Sequence, residues 1–327
     1  MEHFAGDWIC GWIVVPVSSG DFITGFSIMK LMKFHDIPLI LYLSGNFLYF
    51  FAFIVLIPVI IAFITLEWAE VITFAFTFFV FLTLSLQFTS FSPNQREIKW
   101  LHGMAATALV WLIVMCVSAI PLYFSSHYKS FLDSCFEIMS GITTTGLTLT
   151  VDLDHLPISI NIWRHLIHFV GGQGIVVLSL IFLSSTGAGF QAMVGEGKDE
   201  RLLPNIRETS KAIWKISMVY FGIGVFILAI VGLSYGLTLP WSLFHGFSIY
   251  CSSWSTGGFL PQSQSMLYYH NIWFEALAVS FFILGSINFG LHYVVWYKDR
   301  KELFKDIEIK SMIATTSFLT LFLTVGL

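Results

Sequence analysis

Seven long apolar runs dominate the chain, and each is long enough to cross a lipid bilayer as a helix. A helical span needs about 20 predominantly apolar residues, and runs of this length separated by polar segments predict one span each. The sequence therefore predicts an all-α integral membrane protein. The runs cover residues 38–65, 71–92, 100–124, 158–184, 212–238, 271–297 and 311–327.

Two short polar loops lie between these runs at corresponding places, Thr143-Thr144-Thr145-Gly146 and Ser255-Thr256-Gly257-Gly258-Phe259. Each follows a helix-like run, residues 131–140 or 241–254, that is too short to cross a bilayer. Non-helical backbone at membrane depth is tolerated only where it is buried in protein or lines a wet cavity. The pattern predicts two pore units, each made of a span, a re-entrant pore helix, a glycine loop and a second span. The carbonyl groups of such loops can replace the hydration shell of an ion.

Composition supports a membrane location. Charged residues make up 11% of the chain, against about 25% in ordinary soluble domains. Hydrophobic residues reach 56% and the mean hydropathy is +0.80, which excludes a soluble globular domain. The four cysteines form no CxxC pair and indicate neither a zinc site nor a disulfide framework. We expect the lipid bilayer as the environment, and no cofactor, no enzymatic activity and no nucleic-acid partner.

The positive charges predict the orientation of the chain. All but two of the 16 Lys and Arg residues fall in four clusters, at 30–33, 96–99, 198–215 and 298–310. Because cytoplasmic loops carry an excess of Lys and Arg, this spacing places the N-terminus in the cytoplasm and both glycine loops near the outer face. The expected location is the cell inner (plasma) membrane, with multiple passes.

Acidic residues are predicted on the outer side, among them Asp152 and Asp154, which follow the first glycine loop. At a pore mouth, these two carboxylates would raise the local concentration of a cation. The alternative is that both are simply solvated. Arg164 is costly deep in a membrane, so we expect it at the outer end of its span, paired with an acidic neighbour such as Asp154.

Several stretches resemble Trk-type potassium uptake proteins of the Trk/Ktr/HKT cation transporter superfamily. The first pore repeat of that family is matched by residues 140–146, 153–157 and 163–178, its cytoplasmic linker by 203–212, and its second repeat by 257–259 and 288–293. The resemblance covers roughly residues 35–327. It implies a membrane pore subunit for channel-like potassium uptake driven by the membrane potential. It also implies four repeats around one pore, a dimer, and often a cytoplasmic nucleotide-binding regulatory subunit.

The resemblance divides the chain into six parts. Residues 1–37 form an N-terminal extension, for which a cleaved signal peptide is not indicated. Two leading transmembrane helices (38–99) precede the first pore repeat (100–197), a cytoplasmic linker (198–211) and the second pore repeat (212–300). Residues 301–327 look like the start of a third repeat that is truncated. The second pore helix looks about one turn longer than expected, and Gln173 stands where the family pattern predicts an apolar residue.

The candidate selectivity filter is the set that would coordinate potassium, the transported ion: Thr144, Thr145, Gly146, Thr256, Gly257 and Gly258. Two such loops supply half of the ring that the family implies, so we expect either a homodimer or a complex with a chain that supplies the missing repeats. The alternative is a non-conducting fragment or accessory subunit. Selectivity between potassium and sodium is left open, since it depends on cavity size and carbonyl field as well as on residue type.

Each candidate residue has a second interpretation. The Thr/Gly loops are also typical of helix caps made by hydroxyl groups, and the glycines at 171, 174, 285 and 290 are typical of close helix packing. His165 and His168 lie one helical turn apart. A remote alternative is therefore a membrane redox protein that binds haem or a metal through these two histidines.

Overall fold

The computed structural model describes residues 36–91, 100–174, 206–297 and 300–326, and all regular structure within them is helical. Most of the N-terminal extension and of the linker 198–211 lies outside the described residues. The α-helices, numbered in chain order, are α1 Ile37–Ile64, α2 Trp68–Thr89, α3 Trp100–Phe124, α4 Phe131–Ile142, α5 Ile158–Gln173, α6 Ile206–Ser234, α7 Leu239–Trp254, α8 Ile272–Ser286, α9 Phe289–Tyr297, α10 Glu302–Lys305 and α11 Ile307–Gly326. A 3-10 helix, Ser265–Tyr269, precedes α8.

Five of these helices, α1, α2, α3, α6 and α11, are long and apolar enough to cross a membrane. Their positions match five of the seven predicted spans. The predicted span at 158–184 begins with α5, which ends at Gln173, and the rest of this run lies outside the described residues. Helix α11 is almost wholly exposed, with 6% of its span window buried.

The leading helices α1 and α2 pack closely where α1 has a small residue. A β-carbon built on Gly45 would lie 2.8 Å from the backbone nitrogen of Thr89, and the hydroxyl of Ser85 donates to the carbonyl oxygen of Gly45 at 2.7 Å. The rings of Phe51 and Phe81 stack with centroids 5.9 Å apart. The small residue at Gly45 lets the two helices approach closely, and the stacked rings add apolar contact between them.

A carboxylate of this hairpin caps the buried helix α5. Glu67, in the turn between α1 and α2, accepts hydrogen bonds from the backbone nitrogens of Ile158 at 2.8 Å and Ser159 at 3.0 Å, and from the Ser159 hydroxyl. The first backbone N–H groups of a helix have no partner within it and favour negative charge. Glu67 therefore fixes the N-terminal end of α5 from 91 residues away in the sequence.

Helix α5 is buried along nearly its whole length. On the side facing the leading helices, Trp163 donates to the carbonyl oxygen of Ser118 at 3.2 Å and meets the edge of Phe74. On another side, Gln173 accepts a hydrogen bond from the hydroxyl of Ser217 at 3.0 Å. This bond is a polar contact between helices, and it joins α5 to α6.

The predicted span at 271–297 is not one continuous helix, which corrects the sequence interpretation. It divides into α8 and α9, which are bent by 99° around the extended residue Ile287. The buried ring of His292 hydrogen-bonds to the carbonyl oxygen of Leu284 at 2.9 Å. A helix can break inside a membrane where side chains satisfy the freed backbone groups, and His292 does so here.

Candidate ion-conduction site

The two pore helices, α4 and α7, end in the same hydrogen-bonded turn. At the end of α4, the backbone nitrogen of Thr145 donates to the carbonyl of Ser140 at 2.8 Å, and that of Thr144 to Gly141 at 3.0 Å. Thr144 has a φ of 54°. This is a Schellman motif, which ends a helix through one residue in the left-handed region.

The end of α7 repeats this turn 112 residues later. Gly257 donates to the carbonyl of Ser252 at 3.0 Å, Thr256 donates to Ser253 at 3.1 Å, and Thr256 has a φ of 52°. Thr144 therefore corresponds to Thr256. The register of the second loop, which the longer pore helix obscures in the sequence, is fixed by this geometry. Helix α7 has 16 residues against 12 in α4, one turn more, as the sequence predicts.

A glycine of the following span packs on the last carbonyl of each pore helix. A β-carbon on Gly171 would lie 2.1 Å from the carbonyl oxygen of Ile142, and one on Gly285 would lie 2.0 Å from that of Trp254. Ile142 and Trp254 correspond in the two repeats. These two glycines let the return helices approach the filter loops, so their role in the structure is packing, as predicted for them.

The two glycine loops meet each other. A β-carbon on Gly146 would lie 2.0 Å from the carbonyl oxygen of Gly257, and Gly146 also has a φ of 79°. Its equivalent, Gly258, has a φ of 105° and open space around it. Gly257 is needed for space, because a β-carbon there would fall 1.3 Å from Nε2 of His168. Each glycine of the pair of loops thus meets a different physical requirement.

The hydroxyl groups of the first loop act partly as helix caps, which was the second interpretation of this loop. Thr143 donates to the carbonyl oxygen of Met139 at 2.6 Å, and its hydroxyl lies 2.8 Å from that of Thr145. The same carbonyl also accepts from the backbone nitrogen of Thr143 at 2.9 Å, so Thr143 adds a second hydrogen bond at the helix end. The side chains of Thr145 and Thr256 are exposed beside their loops.

A buried ion pair joins the first pore helix α4 to helix α5. Nε and Nη2 of Arg164 contact Oε1 of Glu137 at 2.8 and 2.6 Å, and both side chains are at most 1% exposed. The expectation that Arg164 pairs with Asp154 near the membrane surface is therefore wrong. Burying a cation is tolerated when an anion and further hydrogen bonds compensate the lost hydration, and Glu137 in α4 supplies that anion.

Sequence reasoning missed Glu137 as a site residue. The signal was present, since an ionisable residue inside a membrane segment predicts a function and a partner. Glu137 lies 27 residues before Arg164, and helix periodicity does not pair residues across two elements. Removing one member of such a pair leaves the other charge buried and costs about 3–5 kcal/mol.

The two acidic residues at the predicted pore mouth differ in their contacts. Asp152 is exposed and meets Nδ1 of His155 at 2.9 Å; this hydrogen bond holds the pKa of Asp152 below its ordinary value. Asp154 accepts from the backbone nitrogen of Ser263 at 2.8 Å and from its hydroxyl at 2.5 Å. Asp154 therefore links the segment after the first loop to the segment after the second.

His165 and His168 are fully buried, and none of their four ring nitrogens has a hydrogen-bond partner. The ring of His168 lies against Gly257 and edge-on to Phe259, with centroids 4.6 Å apart. Within the described ranges, no three His, Cys, Asp or Glu side chains come together as a metal site would require. These observations give the haem or metal alternative no support.

Comparison with known proteins decides the family. A family model described as "Cation transport protein", TrkH, matches residues 68–325. The chain belongs to the TrkH family. The family assignment confirms the resemblance seen in the sequence, and the all-helical membrane fold is confirmed as well. As a member of the TrkH family, the chain is an integral membrane protein of a transporter family.

Several TrkH-family relatives match this chain over most of its length. It is 30% identical over 306 residues to an uncharacterized cation transporter of Methanocaldococcus jannaschii, covering 91% of this chain and 60% of that protein. It is 30% identical over 288 residues to the Trk system potassium uptake protein TrkG of Escherichia coli, covering 85% and 57%. The crystal structure of the potassium transporter TrkH from Vibrio parahaemolyticus matches with a TM-score of 0.70 and 28% identity, over 89% and 58%. The chain spans about three fifths of the length of these relatives.

Proposed function

We propose that this chain forms part of the membrane pore of a potassium uptake system. Its filter residues are Thr144, Thr145, Gly146, Thr256, Gly257 and Gly258. The observation that carries the proposal is the contact between the two glycine loops, each of which follows the end of a pore helix: a β-carbon on Gly146 would lie 2.0 Å from the carbonyl oxygen of Gly257. Two equivalent glycine loops that meet in this way support a shared filter.

The pore helices contribute electrostatically to this function. The C-terminal end of a helix carries a partial negative charge of roughly half an electron. Helices α4 and α7 both end at the loops, so both ends favour a cation there. Loop carbonyls then replace the water that the cation loses on entry. Uptake is downhill, because one cation gains about 2.3 kcal/mol on crossing 100 mV of inside-negative potential.

The proposal includes partners and an orientation. A closed ring of such loops needs four of them, and this chain contributes two. We infer that the other two come from a polypeptide with two further pore units or from a second copy of this chain. The Lys and Arg clusters favour a cytoplasmic N-terminus in the inner membrane, with the acidic segment around Asp152 outside. A cytoplasmic nucleotide-binding subunit is the regulator that the family resemblance implies.

Reconstitution in liposomes tests the proposal. The completed transporter, meaning this chain produced together with a polypeptide that supplies two further pore units, is compared with this chain alone. We expect rubidium uptake by the completed transporter under an inside-negative potential, with potassium competing better than sodium. We expect no selective uptake by the chain alone. Absence of uptake in the completed transporter would overturn the proposed function, and strong selective uptake by the chain alone would overturn the four-loop ring.

A further inference from the structure

The segment that follows the second glycine loop is held by the first pore repeat at every other residue. Phe259 lies under the guanidinium group of Arg164, with Cζ 4.5 Å from the ring centroid. The carbonyl oxygen of Pro261 accepts from Nδ2 of Asn161 at 3.2 Å. Two residues further on, Ser263 is bound by Asp154. The position of the second loop therefore depends on side chains of the first repeat.

The same buried ion pair also holds the segment that follows the first loop. The carboxylate of Glu137 accepts from the backbone nitrogen of Leu149 at 2.8 Å and from the hydroxyl of Thr148 at 2.9 Å. Nη2 of Arg164 contacts that Thr148 hydroxyl at 3.3 Å. Glu137 thus binds the segment that follows the first loop, and Arg164 lies on Phe259 in the segment that follows the second.

Three elements meet at this one point. Arg164 comes from α5, Glu137 from α4, and Phe259 directly follows Gly258 of the second loop. Nη1 of Arg164 also donates to Oδ1 of Asn161 at 3.2 Å, so each of the three guanidinium nitrogens has a hydrogen-bond partner. A planar, multiply bonded guanidinium allows little rotation, and lysine cannot reproduce this geometry. The contacts fix a distance between the loops as well as neutralising a charge.

We propose that Arg164 is a positioning residue that sets the spacing of the two filter loops, and that it thereby determines the selectivity of the pore for potassium over sodium. This inference rests on the proposed function. Arg164 acts through Glu137 on the first loop and through Phe259 on the second. Selectivity depends on cavity size and on the field of the carbonyl groups, and both change when one loop shifts against the other.

Arg164→Lys in the completed transporter is the main test. Lysine keeps the positive charge beside Glu137, so no buried carboxylate is left unpaired, but it loses the two-nitrogen contact and the flat group over Phe259. We expect rubidium uptake to persist while the preference for potassium over sodium falls by roughly tenfold, the usual size of a coupling between two sites. The apparent KM for potassium rises, and the maximal rate per inserted transporter changes less.

Two further variants complete the test. Phe259→Leu removes the ring that lies under Arg164 and edge-on to His168, leaves the ion pair intact and keeps an apolar side chain against His168; the same loss of selectivity is expected. Trp163→Phe is the matched control, because Trp163 is the neighbouring buried residue on α5 and bonds to Ser118, away from the loops. This control is expected to keep the selectivity of the unchanged transporter even if its thermal stability falls.

The outcomes separate the inference from the proposed function. If Arg164→Lys does not accumulate in the membrane, Phe259→Leu decides the question. The positioning role would be overturned if every variant that accumulates kept a potassium-over-sodium selectivity within about twofold of the unchanged protein. Rubidium uptake by these variants would still support the proposed function. An equal loss in Trp163→Phe would also overturn the positioning role, because a general loosening of α5 would then explain the effect. An unchanged transporter without selective uptake would overturn both.

Discussion

Replacing the filter glycines one at a time tests whether the two loops conduct. Gly146→Ala combines two penalties: its φ of 79° is unfavourable for alanine, and the new β-carbon would lie 2.0 Å from the carbonyl oxygen of Gly257. Gly258→Ala carries only the first, because its φ is 105° and nothing lies within 4 Å. Gly222→Ala carries neither, since it lies in helix α6 with nothing within 4 Å.

The magnitudes follow from these differences. Left-handed backbone costs an L-residue about 1–2 kcal/mol, which lowers the ratio of native to altered loop conformations by a factor of roughly 5 to 30. We therefore expect a partial loss of uptake for Gly258→Ala. Gly146→Ala must in addition displace the backbone of Gly257, and we expect uptake to fall to background. Gly222→Ala is expected to be silent or slightly stabilising, because alanine favours a helix by about 1 kcal/mol over glycine.

The assay is rubidium uptake into vesicles that contain the completed transporter, normalised to the amount of inserted protein. All three variants should insert equally, because the apolar spans are untouched. Uptake by Gly146→Ala equal to that of the unchanged protein would refute the filter assignment of the first loop. Equal losses in all three variants would show that the effect comes from glycine replacement in general and not from loop geometry.

Three other predictions concern the residues that surround the filter. Glu67→Ala should lower the free energy of unfolding by about 2 kcal/mol, and with it the melting temperature, because it removes the charged cap of α5. A melting temperature in detergent equal to that of the unchanged protein would contradict this role. Asp152→Asn should weaken apparent cation affinity at low salt only, since exposed charges are screened over about 10 Å at 0.1 M ionic strength. Asp154→Ala, which removes both hydrogen bonds to Ser263, should weaken it at high salt as well. His155→Ala should raise the pKa of Asp152. As the solution is acidified, the contribution of Asp152 to cation affinity at low salt should then be lost at a higher pH than in the unchanged protein. An unchanged pH profile would exclude the hydrogen bond to His155 as the cause of the lowered pKa.

Much of the fold is predictable from local sequence. Spans such as α1 and α3 follow from continuous apolar runs, because the bilayer sets the length of a helix. The loops were predictable because glycine and threonine end short helices at equivalent places. The break at Ile287 had a local signal, because Gly285, Ser286 and Asn288 surround it and such residues are typical of helix breaks, but the glycine was interpreted as close helix packing. The break depends on His292, which reaches back eight residues to Leu284.

The least predictable features are contacts between distant elements. Glu67 caps a helix that begins 91 residues later, and no local pattern marks a carboxylate for that task. Arg164 was recognised as costly, but the nearest acidic residue in the outer segment is not its partner. Its pairing with Glu137 depends on how α4 packs on α5. The bottom-up prediction fails where a charged side chain is positioned by tertiary packing.

The most direct measurement is diffraction at the rubidium absorption edge from crystals of the completed transporter grown in rubidium. If the two loops form the filter, rubidium peaks are expected within coordination distance of the backbone carbonyl groups of two segments, residues 144–146 and 256–258. Rubidium bound elsewhere in the membrane domain, with these two segments facing only protein, would contradict the filter assignment.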